Sequence, residues 1–235
     1  MEEYSKLNDS IYWHDQDGLY VNLFIPSELD WREKGLKLRQ ETKYPETPGT
    51  SLTVTAARPG PLTMRVRIPG WLRSAPTVRL NGKVLEASAS PGSYLALNRV
   101  WKAGDRIELE LPMRLRAEAM PDDPRMQAFL YGPLVLAGDL GGEGLTPAHI
   151  IGPNLRVGWP NTEQYGSPLG PTNSAPPVPD LEIPTFRAGG AEPESWIKPA
   201  GKPLTFRTSG QKKDVTLVPL NRLFDRRYSV YWEVG

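Results

Sequence analysis

The sequence predicts an all-β fold: a jelly-roll-like sandwich over residues 14–138, then an irregular linker and a smaller second β-unit over residues 139–235, with a short helical segment over residues 1–13. Apolar and polar residues alternate with a period of two through most of the first half, as they do in strands that bury one face. Turns rich in Pro and Gly separate these runs at short intervals, a spacing typical of sandwiches and jelly rolls.

The N-terminal segment does not follow the strand period. Tyr4, Leu7 and Ile11 recur at helical spacing between polar residues, so a helix is expected here. About twelve residues seldom hold a helix in water without tertiary contacts. Either this helix packs on the sheet as a cap, or it is the end of a structure that is not in this chain.

The sandwich strands follow in chain order after the turn HDQDG. Their expected inward-facing residues are Leu19, Val21, Leu23 and Ile25, then Leu36 and Leu38, then Leu52, Val54 and Ala56, then Leu62, Met64, Val66 and Ile68, and finally Ile107, Leu109 and Leu111. In the run TVRLNGKVLEA, Asn81 and Gly82 supply the two positive-φ positions of a type I′ turn, which predicts a hairpin.

The composition changes near residue 140. Residues 140–200 are crowded with Gly and Pro and carry few strand patterns, and the stretch is too long for an ordinary connection inside one domain. Alternation returns in PLTFRTSG, DVTLVPL and RYSVYWEV. Three strands suffice for a small β-unit, so a second unit is expected within residues 139–235.

Charge and composition exclude several classes of function. The 28 Lys and Arg residues nearly balance the 27 Asp and Glu residues, so no basic surface for nucleic acid or anionic lipid is expected. No run approaches the roughly 18 apolar residues of a membrane span, and MEEYSKLNDS lacks the basic start and apolar centre of a signal peptide. The absence of cysteine excludes disulfides, thiolate metal sites and a cysteine nucleophile from this chain, and it leaves the cellular compartment undetermined.

Five strings occur in one order along the chain: VRIPGW, VRLNGK, YLALNRVWKAGDRIELELPMRLR, AFLYGPLVLAGDL and DVTLVPLNRLFDRRYSVYWEV. In this order and at this spacing, the chain resembles the C-terminal β-sandwich portion of the β-L-arabinofuranosidase-type glycoside hydrolases, family 127 and its uncharacterised relatives. The segment MEEYSKLNDSIYWHD resembles the last helix of the catalytic (α/α)6 barrel in such enzymes. This resemblance implies that Tyr4, Leu7 and Ile11 face other barrel helices and are at most partly covered by the first sandwich. The resemblance is weakest between about residues 141 and 193.

This resemblance implies a retaining mechanism in the complete enzyme, in which a zinc-bound cysteine attacks the anomeric carbon and a glutamate protonates the leaving oxygen. Neither group can be assigned here, because the chain has no cysteine and the family's glutamate lies upstream of the position that matches Met1. The resemblance thus implies a non-catalytic region, inactive alone, that supports a missing barrel. Two alternatives stay open: a stand-alone carbohydrate-binding module, and a hydrolase active only with a separate barrel chain. A homo-oligomer is also compatible with the sequence.

The chain's own carboxylates give few catalytic candidates. Hydrolysis by two carboxylates needs Asp or Glu side chains that face each other across a cleft. The neighbours Glu2 and Glu3, and likewise Asp122 and Asp123, are expected to be solvated instead. Glu2 is a weak candidate for substrate binding, because it lies nearest to the missing nucleophile.

Neither the histidines nor the first turn predicts a metal site, so zinc is expected only in the complete family enzyme. His14 and His149 lie far apart and have no second ligand at metal-binding spacing. The turn from Asp15 to Gly18 lacks the downstream glutamate of a calcium loop. Asp15 is therefore expected to cap backbone amides.

Seven tryptophans raise the question of sugar stacking, since flat aromatic faces pack on sugar C–H groups. Trp71, Trp101 and Trp232 fall in the strand strings, and we expect them to pack in the core or at a domain interface. Trp159 and Trp196 lie in the irregular segment and are the weak candidates for exposed contacts with substrate.

Overall fold

A computed structural model of the chain describes residues 8–86, 89–145 and 181–235. The chain divides into two units. The first, which we call the sandwich unit, contains residues 1–115 and 131–133, and the second, the C-terminal unit, contains residues 116–130 and 134–235. Among the described residues, no helix is long and apolar enough to cross a membrane.

The sandwich unit consists of two sheets. In chain order its strands are β1 (Tyr12–His14), β2 (Gly18–Val21), β3 (Ser27–Trp31), β4 (Leu36–Thr42), β5 (Gly49–Ala56), β6 (Pro61–Ile68), β7 (Thr77–Leu80), β8 (Lys83–Val84), β9 (Ser93–Val100) and β10 (Arg106–Glu110). Sheet A has the order β1-β2-β6-β9, and sheet B has the order β3-β4-β5-β10-β7-β8. Neighbouring strands are antiparallel except for β2 and β6, which are parallel.

The core of this unit confirms most of the predicted alternation. Sheet A contributes Leu19, Val21, Met64, Val66 and Ile68, and sheet B contributes Leu36, Leu38, Leu52, Val54, Ile107 and Leu109, all buried in one cluster. Burying one such side chain contributes about 1.5–3 kcal/mol relative to leaving it exposed. The shared cluster is therefore what holds the two sheets together.

The predicted alternation is wrong at Leu23 and Ile25, just beyond the end of β2. Leu23 and Ile25 are only partly buried, and Phe24 enters the core in their place. The reason is that β2 ends at Val21, where the chain leaves sheet A, and the backbone N–H groups of residues 22 and 23 both donate to the carbonyl of Ile11. This turn changes the face on which the following side chains lie.

The helix predicted over residues 1–13 does not extend through the described part of that segment. Asn8–Ser10 form a single 3-10 turn, and β1 begins at Tyr12. The side chain of Ile11 is buried rather than partly covered, while Tyr4 and Leu7 lie outside the described residues. Pairing with β2 overrides the helical pattern, because it satisfies backbone groups that a helix would otherwise use.

The expected hairpin at Asn81 is confirmed. Strands β7 and β8 pair across it, and Asn81 and Gly82 have φ values of 52° and 79°. The side chain of Asn81 also joins this turn to the start of β10: its Nδ2 donates to Oδ1 of Asp105 at 2.8 Å, and its Oδ1 accepts from the N–H of Arg106 at 2.8 Å. Two turns that are distant in sequence are thereby fixed to each other.

Asp105 is the acceptor at the centre of this connection. Its side chain also accepts the N–H of Lys102 at 2.9 Å and lies 3.5 Å from Arg99. Burial alone would raise the pKa of Asp105, but the hydrogen bonds from Asn81 and Lys102, together with Arg99, hold the pKa below its usual value.

The C-terminal unit is built on one sheet. Its elements are β11 (Leu115–Ala119), β12 (Met126–Tyr131), β13 (Leu134–Asp139), the single-turn helix α1 (Pro193–Trp196), β14 (Ile197–Pro199), β15 (Phe206–Thr208), β16 (Thr216–Pro219), β17 (Tyr228–Ser229) and β18 (Tyr231–Glu233). The sheet order is β11-β12-β13-β16-β15-β14, with β17 paired to β13 and β18 paired to β12.

The division between the units falls after residue 115, whereas the sequence pattern places it near residue 138. Strands β12 and β13 pair with β16, β17 and β18 of the C-terminal unit. The alternation of β12 and β13 identifies them as strands but carries no information about their partners. Their membership is decided by pairing with residues far along the chain.

An aromatic cluster fills the core of the C-terminal unit. The rings of Phe186 and Trp232 lie 4.9 Å apart, and the ring of Trp196 lies 5.3 Å from Phe129 and 5.5 Å from Phe186. Gly138 on β13 faces this cluster: a Cβ there would lie 2.3 Å from Cζ2 of Trp232. The glycine is therefore required by the space that the indole ring occupies.

Gly138→Ala is expected to lower the free energy of unfolding by about 1–3 kcal/mol, because the ring of Trp232 is held on all sides and cannot yield cheaply. Gly235→Ala is the matched control, since a Cβ at Gly235 meets no atom within 4 Å. Urea unfolding followed by tryptophan fluorescence measures both. Equal stability of the two variants would contradict the packing described here.

Asn81→Gly is expected to lower the free energy of unfolding by about 1–3 kcal/mol. Glycine keeps the positive φ but removes both side-chain hydrogen bonds, which leaves Asp105 with one donor fewer. Lys83→Ala, an exposed change in the same hairpin, is the control and should be close to neutral. Chemical denaturation of the two variants at pH 7 gives the comparison.

The hydrogen bond between Asn81 and Asp105 predicts that the free energy of unfolding depends on pH. The folded-state pKa of Asp105 lies below the value of about 3.9 for an unfolded aspartate, so Asp105 stabilises the fold above that pH and loses this contribution as the pH falls through its folded-state pKa. Asn81→Gly brings the two pKa values closer together. The stability difference between wild type and Asn81→Gly should thus shrink on acidification, and a constant difference would contradict the role of Asp105.

Candidate interaction face

The carboxylates singled out by sequence do not form a catalytic pair in the described part of the chain. Asp123 accepts hydrogen bonds from the backbone N–H of Arg125 at 3.0 Å and from its guanidinium at 3.1 and 3.2 Å. The hydrogen bond from Arg125 lowers the pKa of Asp123, the opposite of what a general acid needs. Asp122 is exposed, and Glu2 and Glu3 lie outside the described residues.

The first histidine and the first turn have structural contacts. The ring of His14 stacks on Trp31 with centroids 4.9 Å apart, and His149 lies outside the described residues. Asp15 caps its turn as predicted, accepting the N–H groups of Asp17 at 2.9 Å and Gly18 at 2.8 Å. Within the described ranges, no three His, Cys, Asp or Glu side chains come together, so these residues do not fit a zinc ion.

The exposure of the tryptophans agrees only in part with the prediction. Trp101 and Trp232 are buried, and Trp101 donates its indole N–H to the carbonyl of Leu62 at 2.8 Å. The expectation that Trp196 is exposed is wrong: it is only 7% exposed, because the turn of α1 directs it into the aromatic cluster. It therefore offers no flat face to a sugar. Trp159 lies outside the described residues.

Two grooves open on the sandwich unit. One, of about 500 Å³, runs past Gln40, Thr50 and Ser51. The amide of Gln40 in this groove is already paired, since it donates to Oγ1 of Thr50 and accepts from the hydroxyl of Tyr12. The other, of about 380 Å³, has a charged lining that includes Asp17, Glu33, Lys34 and Arg58. Asp17 and Glu33 both line the second groove, which is therefore the place in this unit where hydrolytic chemistry is best tested.

The outer face of sheet A is unusual in composition. Directly paired residues project on the same side of a sheet, so the pairing register places one set on this face: Trp13, Gly18, Tyr20, Pro61, Thr63, Arg65, Arg67, Tyr94, Ala96, Asn98 and Val100. We call this set the aromatic face. Trp13 is 58% exposed and Tyr94 is 39% exposed. No strand residue of this set carries a carboxylate.

The outer face of sheet B is an internal control for this observation. Its cross-strand pairs are oppositely charged: Arg39 lies 2.9 Å from Glu28, and Lys37 lies 3.1 Å from Asp30. Such mixed charge is typical of a face that meets water. The two sheets share one core and one period, yet their outer faces differ in composition.

The aromatic face is held in one arrangement by contacts among its own members. The guanidinium of Arg65 lies 4.8 Å from the ring centre of Tyr20, and the ring of Tyr20 meets that of Tyr94 edge to face at 5.3 Å. The hydroxyl of Tyr20 donates to Oδ2 of Asp15 at 2.8 Å, and the hydroxyl of Tyr94 donates to Oδ1 of Asn22 at 2.9 Å. Anchored rings lose little side-chain entropy when a partner binds.

The acid–phenol pair also shifts both pKa values. The hydrogen bond from Tyr20 lowers the pKa of Asp15, and the same bond raises the pKa of Tyr20. At neutral pH, Asp15 is therefore ionised and Tyr20 is a neutral donor. The arrangement favours orientation of the rings rather than proton transfer.

The sequence analysis does not identify this face, although part of its signal is readable. Tyr20 and Tyr94 occupy outward positions beside Leu19 and Leu95, where an exposed strand would carry a polar residue. Trp13 falls inside the segment that the sequence assigns to a helix. Only the pairing of β1 with β2 places Trp13 opposite Tyr20.

Comparison with known proteins identifies both units. Residues 18–113 match the family model described as "Beta-L-arabinofuranosidase, GH127 middle domain", and residues 116–234 match DUF4986, a domain of unknown function. The "Non-reducing end beta-L-arabinofuranosidase" of Bifidobacterium longum subsp. longum is 29% identical over 140 residues, which is 54% of this chain and 20% of that protein. The chain thus spans about a fifth of that relative.

Solved structures share the fold. A GH127 beta-L-arabinofuranosidase from Geobacillus stearothermophilus T6, Ara127N-Se, is 21% identical with a TM-score of 0.61, over 98% of this chain and 36% of that one. The GH127 beta-arabinofuranosidase BT3674 is 23% identical with a TM-score of 0.61, over 96% of this chain and 36% of that one. The predicted resemblance to a portion of a GH127-type arabinofuranosidase is confirmed: residues 18–113 form a GH127 middle domain, and the chain belongs to the DUF4986 family through residues 116–234.

Proposed function

We propose that this chain is the non-catalytic C-terminal β-sandwich region of a retaining glycoside hydrolase that acts on arabinofuranosides or related glycans, and that it supports a catalytic (α/α)6 barrel located outside residues 1–235. The proposal rests on how much of each solved relative this chain matches. The chain is matched over 96% or more of its length by solved GH127 structures, yet it accounts for only 36% of theirs. The family model calls its first unit a middle domain, which supports a preceding domain.

The chemistry of the chain supports the same assignment. Without cysteine, it cannot supply the thiolate that the family resemblance requires. The nucleophile, the acid/base glutamate and the zinc ligands are therefore assigned to the barrel. What the described residues contribute instead is a rigid sandwich with an anchored aromatic face.

The chain alone is expected not to hydrolyse nitrophenyl arabinofuranosides above the buffer rate, with or without added zinc, because it has no cysteine to supply the thiolate that the family resemblance requires. The Bifidobacterium longum arabinofuranosidase serves as the positive control. Release of nitrophenol measured by absorbance gives the result. Turnover that disappears in Glu33→Gln or Asp17→Asn, the two carboxylates of the charged groove, would refute the non-catalytic assignment.

A further inference from the structure

The aromatic face has the composition of a buried interface rather than of a solvent surface. Trp, Tyr and Arg are the residues most enriched at the energetic centres of interfaces, and Asp, Glu and Lys are depleted there. The face follows this distribution at Trp13, Tyr20, Tyr94, Arg65 and Arg67, with no acidic or lysine residue among its strand positions. The opposite face of the same sandwich follows the distribution of a solvated surface.

The direction of the chain indicates what covers this face. The first described residues lead into β1, the edge strand of sheet A, where Trp13 stands at the border of the aromatic face. Any domain joined ahead of residue 8 is therefore tethered beside this face, at a high effective concentration. The family model describes the matched unit as a middle domain. A domain that precedes it in the chain is therefore the partner best suited to cover the aromatic face.

We propose that the aromatic face of sheet A is the surface on which the preceding, catalytic domain of the enzyme docks, with Trp13 and Tyr94 as its anchors. This inference rests on the proposed function. Arg67, which is exposed, provides donors for carboxylates or backbone carbonyls of that domain. Arg65 is already engaged within the face, 3.7 Å from the carboxylate of Asp15. Tyr20 is fixed between Arg65 and Tyr94 and serves to hold the two anchors in position.

Hydroxyl-radical footprinting with mass spectrometry tests the proposal. It compares this chain with the longer polypeptide encoded when the gene's upstream reading frame is included. In the longer polypeptide, oxidation of Trp13 and Tyr94 is expected to fall to the level of Trp101, which is buried in both. Phe224 in the C-terminal unit, 73% exposed, is the control and should remain equally reactive. Trp13 and Tyr94 that react as fast as in this chain alone, or an upstream sequence that encodes no domain, overturn the proposal.

A pair of variants gives a second readout. Trp13→Ala is expected to lower the Tm of the longer polypeptide more than it lowers that of this chain alone, because only the longer polypeptide loses the docking contact. Phe224→Ala should change the two alike. Equal effects of Trp13→Ala on both polypeptides would contradict docking at this face.

Glycan binding is the alternative occupant, and the same method separates it. If arabinan or arabinoxylan protects Trp13 and Tyr94 in this chain alone, the face is a sugar platform and the docking proposal fails. These outcomes are independent of the hydrolysis assay, since the footprint reports contact and the assay reports chemistry. Failure of docking thus leaves the non-catalytic assignment intact, and activity of the isolated chain leaves the footprint unchanged.

Discussion

The sandwich unit depends on one constraint: a strand has two faces, and the shared core takes one of them. Leu19 and Val21 on β2 meet the same buried cluster as Leu38 on β4 and Leu52 on β5. Each burial contributes about 1.5–3 kcal/mol, so a slip of one residue in any strand would be costly. The inward positions are fully used by packing. Recognition is therefore confined to the grooves, the loops and the two outer faces.

The two outer faces of the sandwich differ in composition although the sheets share one core. On sheet B, paired charges such as Arg39 with Glu28 satisfy one another while remaining wet, which contributes little stability but favours solubility. On sheet A, the outward-facing positions include Trp13, Tyr20 and Tyr94. The hydroxyl bonds of the two tyrosines keep their rings in place. A fold that needed only stability would not require such an arrangement on its surface.

The core of the C-terminal unit differs in composition from that of the sandwich unit. Its core combines an aromatic cluster with buried aliphatic side chains such as Leu136 and Leu217. The indole N–H groups of Trp196 and Trp232 have no hydrogen-bond partner among the described residues. Leaving such a donor unpaired costs about 1–3 kcal/mol, which the large buried area of the rings offsets. The close fit of Gly138 against Trp232 shows how little space this core leaves. The unit is consequently intolerant of added volume.

The sequence by itself determined the all-β class, the family, most inward residues and the turn at Asn81, because alternation and turn chemistry are local properties that each strand carries alone. Only the tertiary structure decided three other features. They are the pairing partners of β12 and β13, the formation of a strand at Tyr12–His14 where a helix was expected, and the burial of Trp196. Each of them depends on residues distant in the chain, whose pairing energy outweighs the local preference. The aromatic face belongs to this second group, since Trp13 joins Tyr20 only when β1 pairs with β2.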